Sequence, residues 1–200
     1  MPSTEISNKW RVFVAIELPP PVRQKLTEHI DRLRDHFPDA RASWVRDESL
    51  HLTLKFLGDT QVTDVEGLAQ SAQRAASKVE RFEIVVAGCG TFPPKGQPRV
   101  LWIGIDDLSG QLAFLHTALE DECAKASFSR EERPFHPHLT IARIRKAHDS
   151  RRLAAVHKEI GFDPETVRAS ELAVIRSELN SEGSRHTIIS RHLFSSANRE

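Results

Sequence analysis

Two short stretches of the sequence carry the same pair of potentially catalytic side chains. Residues 51–54 read HLTL and residues 138–141 read HLTI. In both stretches a histidine and a threonine stand two positions apart between aliphatic residues. Roughly 0.05 His-Leu-Thr matches are expected by chance in a chain of this composition, so two copies indicate a shared function.

The two motifs supply the groups needed for proton transfer at a phosphate. Near pH 7 an imidazole can be neutral or protonated, so one histidine can accept a proton while the other donates one. A threonine hydroxyl can hydrogen-bond a non-bridging phosphate oxygen. If both motifs face one groove, a phosphodiester bound between them has a base on one side and an acid on the other. That geometry suits in-line displacement at phosphorus, with water attacking and a ribose oxygen leaving.

Strand geometry predicts which side chains of each motif face the groove, because side chains alternate between the two faces of a strand. We expect each apolar set to pack on helices and each polar set to line the groove. In the first motif the apolar set is Leu50, Leu52, Leu54 and Phe56, and the polar set is His51, Thr53 and Lys55. In the second motif the apolar set is Leu139 and Ile141, and the opposite set is His136, His138, Thr140 and Ala142.

The order of the surrounding elements predicts an α+β fold rather than a doubly wound parallel sheet, since strands and helices alternate irregularly. The turn-rich PPKGQP joins two strands at 81–92 and 99–105 in a hairpin. The first motif strand is expected to end at Gly58-Asp59, and one long strand is expected over 166–179. Because each half of the chain holds one motif and no linker separates the halves, we expect one domain over residues 1–200. It should be bilobal, with two pseudo-symmetric lobes of antiparallel sheet plus helices around a central cleft.

Composition excludes several classes of protein. Lys and Arg together number 28, as do Asp and Glu, so the zero net charge argues for no particular partner. Cys89 and Cys123 form neither a C-x-x-C pair nor a disulfide framework, as is usual for reduced thiols in the cytosol. The polar N-terminus has no signal-peptide core, and no apolar run approaches the roughly 20 residues needed to span a bilayer. We expect a soluble cytoplasmic protein with no membrane association.

The two motifs and their surroundings resemble the two-histidine phosphoesterase superfamily. Within it the chain is similar to the bacterial and archaeal RNA 2′,3′-cyclic phosphodiesterases, formerly called 2′-5′ RNA ligases. The H-x-T-x signature of that family appears twice, at residues 51–54 and 138–141. The resemblance covers nearly the whole chain. It is carried by RVFVAIELP, SWVRDESLHLTLKFLGD, GTFPPKGQPRVLWIGI, RPFHPHLTIARI and SELNSEGSRHTIISRHLF.

The resemblance implies a bilobal fold that needs no metal and no cofactor. It implies hydrolysis of terminal 2′,3′-cyclic phosphates on RNA to 2′-phosphates, with an associated reversible 2′-5′ ligation of cleaved tRNA halves. It makes His51 the proton donor and His138 the proton acceptor, with Thr53 and Thr140 binding the substrate. RNA with cyclic phosphate ends is then the expected partner, and we expect a monomer.

Other side chains have two interpretations each. Lys55, on the predicted face of His51, either approaches a phosphate or is solvated. Arg143 is a further candidate for substrate binding, although regular alternation places it opposite His138, where it would anchor the strand. The stretch 130–152 holds seven basic and three acidic residues, so it either steers an RNA backbone or forms a solvated face. Trp44 and Trp102 either stack a terminal base or belong to the core. His186 and His192 are expected to have ordinary surface roles.

Two other functions are compatible with parts of the pattern. In a metal-dependent phosphoesterase, His136 and His138 share a face at ligand spacing and His51 is a third ligand. Neither motif has a nearby carboxylate, however, and the threonines have no role in a zinc site. A non-catalytic RNA-binding module does not need paired histidines, and the chain lacks the exposed aromatic signatures of common RNA-binding sheets. Turnover of a cyclic phosphate in excess chelator separates the three functions.

Overall fold

The two motif strands belong to different antiparallel sheets. The computed structural model describes residues 8–145, 150–180 and 183–196. In these ranges the chain forms β1 Lys9–Glu17, α1 Pro20–His36, β2 Ala42–Trp44, β3 His51–Gln61, α2 Val65–Ala76, β4 Phe82–Phe92, β5 Val100–Asp106, α3 Gln111–Lys125, β6 His138–Ile144, α4 Ser150–Ile160, β7 Glu165–Ala169, β8 Glu171–Asn180 and β9 Gly183–Leu193. Sheet A has the strand order β3-β1-β8-β9, and sheet B has the order β2-β6-β5-β4-β7. The predicted α+β class and the β4–β5 hairpin are confirmed.

Each sheet packs with two helices, one from each half of the chain. In sheet A, α2 contacts β8, β9 and α3, and α3 contacts β3. In sheet B, α4 contacts β4 and α1, while an ion pair between Lys25 and Glu165 joins α1 to β7. The order strand, helix, motif strand, helix thus occurs twice, as β1-α1-β3-α2, where the short β2 lies between α1 and β3, and as β5-α3-β6-α4. The two lobes are similar, but each half gives one helix to the other lobe. None of the described helices is long and apolar enough to cross a bilayer.

The central strands of sheet A are apolar on both faces because both faces are covered. Val12 and Val14 of β1 belong to the main core, which lies under the helices. Phe13 and Ala15 point the other way and form a small separate cluster with residues of β8. The main core includes residues of both sheets, such as Leu52 and Leu139, which are fully buried. The unbroken apolar run of β1 therefore serves two surfaces.

Two strand boundaries differ from the predictions. β3 continues past Gly58 to Gln61, because Gly58 takes a positive φ of 70° and pairs with Val12 of β1, while Leu57 is left unpaired in a second bulge. The single strand expected over 166–179 is two strands, β7 in sheet B and β8 in sheet A, with Ser170 between them. The chain crosses from one sheet to the other at that residue, which residue preferences alone do not indicate.

The first motif strand does not alternate regularly, because β3 contains a bulge. Ala15 of β1 pairs with Thr53 and Val14 pairs with Lys55, which leaves Leu54 as an extra residue. A bulge of one residue reverses the alternation after it. Leu54 and Lys55 are therefore both buried, and Phe56 is 51% exposed. The predicted faces of Lys55 and Phe56 are wrong for this reason.

The second motif strand contains a bulge at the equivalent place. Trp102 of β5 pairs with Thr140 and Leu101 pairs with Ala142, which leaves Ile141 as the extra residue. Ile141 and Ala142 are both fully buried, so Ala142 does not share the face of His138 as predicted. Arg143 lies on that face instead, and its predicted place opposite His138 is wrong. In each motif the extra residue is the third after the histidine.

The bulge in β3 directs Lys55 into a buried ion pair. Lys55 Nζ lies 2.7 Å and 2.8 Å from the two carboxylate oxygens of Glu120 on α3 and donates to the carbonyl of Ser129 at 2.8 Å. Glu120 also accepts from the backbone N–H of Glu131 at 3.2 Å. Lys55 therefore does not approach the groove. It connects β3 to the loop that leads into the second motif.

Breaking this pair should destabilise the protein strongly. Lys55→Met leaves the Glu120 carboxylate buried without its cation, and we expect a loss of about 3–5 kcal/mol in the free energy of unfolding, measured by urea denaturation. The exposed pair Arg34–Asp31 provides the control, since Arg34→Ala should cost less than about 0.5 kcal/mol. The double variant Lys55→Met/Glu120→Leu should lose less stability than Lys55→Met alone. Equal losses for Lys55→Met and Arg34→Ala would contradict the importance of the pair.

Candidate active site between the two sheets

A cavity of about 1390 Å³ lies between the two sheets and brings the motifs together. His51 and Thr53 of β3 line it, as do His138 and Thr140 of β6. All four side chains precede the bulge in their strand, so regular alternation holds for them. Phe56 and Arg143, which occupy equivalent positions after the bulges, also line the cavity. The two motifs thus present their polar side chains to one space.

His51 packs in a cluster with two other aromatic rings. Its imidazole stacks on Phe13 at a centroid distance of 4.6 Å, and the centroid of His186 lies 5.2 Å from each of these rings. Burial and the nearby His186 lower the pKa of His51 to about 4, against the raising effect of a hydrogen bond with the Ser49 backbone. His51 is therefore neutral at pH 7 in the free protein. The stacking fixes the plane of the ring, because it cannot rotate without leaving Phe13.

His138 is held by the backbone two residues before it. Its Nδ1 lies 2.7 Å from the carbonyl oxygen of His136. A carbonyl can only accept, so Nδ1 carries the proton and the neutral ring presents the lone pair of Nε2. Burial lowers the pKa of His138, and the charges of His136 and Arg143 add to this effect while the hydrogen bond opposes it. This tautomer leaves Nε2 able to accept a proton.

Two aromatic rings lie close to the imidazole of His138. The rings of Trp102 and His138 are 6.3 Å apart, and Phe92 lies 4.9 Å from His138. Trp102 can lie flat against β4 only because Gly90 has no side chain, since a Cβ there would meet the indole at 2.0 Å. The ring of Trp102 contacts Phe92 and His136, whereas Trp44 packs on the main core and also lines the cavity. Of the two tryptophans, Trp44 alone lines the cavity.

The cavity is rich in arginine. Six arginines line it, against two aspartates, Asp31 and Asp47. They are Arg11, Arg34, Arg41, Arg46, Arg143 and Arg145. Guanidinium groups bind phosphate in a planar, bidentate way, so the cavity suits a polyanion. These arginines come from both halves of the chain, although the net charge is zero.

The described arginines of the stretch 130–152 have different surroundings. Arg143 and Arg145 line the cavity. Arg130 and Arg133 pair with Asp121 and Glu131 instead, and Arg152 lies over the ring of Phe37. Lys146 and Asp149 lie outside the described residues. Arg143 and Arg145, which line the cavity, are therefore placed to steer an RNA backbone.

The predicted surface positions of His186 and His192 differ from the structure. His186 of β9 was expected on the surface, but it lines the cavity beside His51. Its position follows from the pairing of β9 with β8, which no local pattern encodes. His192 is buried, where Ser190 and Gln73 lie within hydrogen-bond distance of its ring nitrogens. The prediction of ordinary surface roles is wrong for both histidines.

The arrangement of the motif histidines does not match a metal site. His51 and His138 line the cavity but His136 is not among its lining residues, and Nδ1 of His138 is engaged by the His136 carbonyl. Among the described residues, the group of three whose donor atoms converge is His29, Cys89 and His157, and none of these lines the cavity. The geometry of the cavity thus favours proton transfer over metal ligation.

Comparison with known proteins finds relatives over most of the chain. A family model described as the 2′-5′ RNA ligase superfamily matches residues 19–180. The RNA 2′,3′-cyclic phosphodiesterase of Methanothermobacter thermautotrophicus is 32% identical over 182 residues, which cover 90% of this chain and 96% of that protein. The RNA 2′,3′-cyclic phosphodiesterase of Thermotoga maritima is 31% identical over 173 residues, which cover 86% and 89%.

Solved structures show the same fold. The crystal structure of TT0787 of Thermus thermophilus matches with a TM-score of 0.77 and 25% identity, over 94% of this chain and 99% of that one. Escherichia coli LigT in complex with 3′-AMP matches with a TM-score of 0.70 and 25% identity, over 94% and 99%. The bilobal arrangement of two antiparallel sheets is therefore shared with these proteins.

The packing of His51 predicts a measurable titration. In NMR titrations the pKa of His51 should be about 4, and His186→Ala should raise it, because that variant removes a like charge and admits water. Unfolded imidazole titrates near 6.5, so between pH 6.5 and 4 the unfolded chain binds more protons at this residue and stability falls as the pH falls. His186→Ala should reduce the part of that fall due to His51. As a control, His116→Ala, outside the cavity, should leave the pKa of His51 unchanged. A value near 6.5 in the native protein would contradict this packing.

Proposed function

The chain belongs to the 2′-5′ RNA ligase superfamily, and from this membership we propose that it hydrolyses terminal 2′,3′-cyclic phosphates of RNA to 2′-phosphates. The observation that carries the proposal is that His51 and His138 line one arginine-rich cavity. The two imidazoles and the two threonine hydroxyls supply every group that the reaction needs, so it proceeds without a metal ion.

His138 is the proton acceptor in this proposal. Its Nε2 lone pair takes a proton from water while the water oxygen attacks phosphorus. The hydrogen bond from Nδ1 to the carbonyl of His136 stabilises the imidazolium that results. A lowered pKa keeps His138 neutral at pH 7, which is the state that a base requires.

His51 is the proton donor. The bond between phosphorus and the ribose 3′ oxygen breaks as that oxygen receives the His51 proton, which leaves a 3′ hydroxyl and a 2′-phosphate. Burial keeps His51 neutral in the free protein. The negative charge of the bound phosphodiester favours the protonated form, so binding of substrate raises the pKa of His51 and the imidazole takes up a proton. His51 accordingly becomes an acid only when a phosphate is present.

The other polar groups of the cavity bind the phosphate and the RNA. Thr53 and Thr140 donate hydroxyl hydrogen bonds to the non-bridging oxygens, and Arg143 balances the charge that develops on them. Phe56 and Trp44 offer aromatic faces on which a terminal base can stack. Lys55 has no direct part, because its ammonium group is held by Glu120.

RNA with 2′,3′-cyclic phosphate ends is the substrate in this proposal. Reversal of the reaction on cleaved tRNA halves, with a 5′ hydroxyl in place of water, gives a 2′-5′ linkage. Both motifs lie in one chain, so the proposed reaction needs no residue from a second copy, and a monomer remains our expectation. A single domain over residues 1–200 and a cytoplasmic location remain predictions.

Hydrolysis should persist in excess chelator. With a nucleoside 2′,3′-cyclic phosphate, kcat/KM should be the same in EDTA as in its absence, since no step uses an ion. His51→Ala and His138→Ala should each lower kcat/KM about 10²–10⁴-fold, whereas His116→Ala, whose ring stacks on Phe135, should have little effect. Loss of activity in EDTA and its return with zinc would identify a metal-dependent phosphoesterase. Binding of RNA without turnover would identify a binding module.

The two histidines should respond differently to the leaving group. A ribose oxygen needs a proton to leave, but a nitrophenolate does not. On a nitrophenyl phosphodiester, His51→Ala should regain most of the activity that it loses on the cyclic phosphate. His138→Ala should stay impaired by about 10²–10⁴-fold, because water still needs a base. Recovery of His138→Ala instead would reverse the two roles, and recovery of neither would mean that both histidines only position the phosphate.

A further inference from the structure

Two buried histidines and a cysteine lie close together between sheet B and the helices α1 and α4, outside the cavity. His29 lies on α1, His157 on α4 and Cys89 on β4. One donor atom from each residue lies within 4.8 Å of the donor atoms of the other two. Both histidines are fully buried, and Cys89 is partly buried. None of the three has a part in the proposed reaction.

The hydrogen bonds of this cluster leave one nitrogen unsatisfied. His157 Nε2 donates to the carbonyl of Trp102 at 3.1 Å, so the lone pair of neutral His157 is on Nδ1. That Nδ1 lies 2.9 Å from His29 Nε2, which must therefore donate. The Nδ1 of His29 then has no proton and no partner of good geometry, although it is buried. An unpartnered buried polar atom is rare and costly.

The backbone of β4 is bulged at the cysteine. The pairing of β4 with β5 shifts between Ala87 and Cys89, and the residue between them, Gly88, has a positive φ of 75°. Glycine adopts this conformation without strain, and bulges commonly redirect a side chain near a functional site. The bulge sets the direction in which the Cys89 thiol points relative to the rest of β4.

We propose that His29, Cys89 and His157 form a zinc site. His29 Nε2, His157 Nδ1 and the Cys89 thiolate are the ligands, a nitrogen and sulfur set that zinc prefers. Tetrahedral zinc separates two nitrogen ligands by about 3.3 Å and a nitrogen from a sulfur ligand by about 3.6 Å. The rings therefore move apart by a few tenths of an ångström, and the Cys89 sulfur, now within 4.8 Å of the nitrogens, moves closer to them. The fourth position is left for a water molecule.

Protons redistribute when the ion binds. The Cys89 thiol releases its proton to solvent as the zinc–sulfur bond forms. The proton of His29 moves from Nε2 to Nδ1, where the Gly161 backbone is close enough to favour a protonated ring. The unsatisfied nitrogen thereby becomes a donor. The bond from His157 Nε2 to the Trp102 carbonyl is unchanged and is the outer hydrogen bond that metal-bound histidines usually make.

Zinc at this site is structural. It joins α1, β4 and α4, which are far apart in sequence. Because the complete site exists only in the folded protein, binding of the ion adds to the free energy of unfolding. Without the ion, burial raises the pKa of the Cys89 thiol to about 11, so the partly exposed thiol should react slowly with alkylating reagents. The site contacts β5 through the bond from His157 to the Trp102 carbonyl. None of its three residues lines the cavity, so the ion stabilises this lobe without touching substrate.

Metal binding to the full-length chain tests the site. Chain freed of metal should bind one Zn²⁺, and one Co²⁺ with the absorption band of a thiolate–cobalt bond. Cys89→Ser should lose that band and weaken Zn²⁺ binding by more than about 100-fold, beyond the loss from an outer-shell change. Cys123→Ser, which removes the second cysteine of the chain, is the matched control and should bind Zn²⁺ and Co²⁺ like the parent. At free Zn²⁺ of about 100 times Kd, Tm should rise by about 5–10 °C.

Catalysis distinguishes this ion from a catalytic metal. Zinc-free protein, assayed below its Tm, and Cys89→Ser should both turn over cyclic phosphate like the parent. If Cys89→Ser does not fold, alkylation of Cys89 in the Cys123→Ser background provides the test, because bound Zn²⁺ should slow it at least tenfold. Absence of the thiolate–cobalt band in the parent, equal Zn²⁺ affinity of Cys89→Ser, or alkylation unaffected by Zn²⁺ would overturn the proposal.

Discussion

One extra residue in each motif strand determines which side chains reach the cavity. In a regular strand, the side chain four positions after the motif histidine shares its face, and the fifth lies opposite. The bulges at Leu54 and Ile141 reverse this relation. They send Lys55 and Ala142 to the core and bring Phe56 and Arg143 to the cavity. The cavity thus gains an aromatic ring on one side and a guanidinium on the other, from positions that are equivalent in the two halves.

The bulge at Leu54 also connects the first motif strand to the loop before the second motif. Because Lys55 points into the core, it reaches Glu120 and the carbonyl of Ser129, and Glu120 holds the backbone of Glu131. These contacts lie at the start of the loop that ends at His138. A buried ion pair contributes little net stability, but its directional hydrogen bonds specify one path for that loop. The first motif strand therefore helps to place the second histidine.

Burial and the charge of a bound phosphate have opposite effects on the pKa of His51. Packing on Phe13 and near His186 orders His51 but also keeps it neutral, while the proposed reaction needs it protonated. The arginines around the cavity do not help, since positive charges also lower the pKa of an imidazole. The phosphate supplies the missing negative charge. In the proposed reaction, His51 is therefore neutral in the free protein and becomes protonated when the substrate phosphate binds.

Local patterns in the chain were enough to predict the motifs, their chemistry and the class of fold, because a spacing of two residues on a strand and apolar periodicity are local properties. They placed the histidine and the threonine of each motif on a shared face, since these positions precede the bulges. The positions of Lys55 and Arg143 could not be predicted in this way, because a bulge depends on the partner strand. Local patterns also could not predict that each half of the chain gives one helix to the other lobe, or that His51 contacts His186. Those contacts join residues distant in sequence, and only the packing of sheets and helices brings them together.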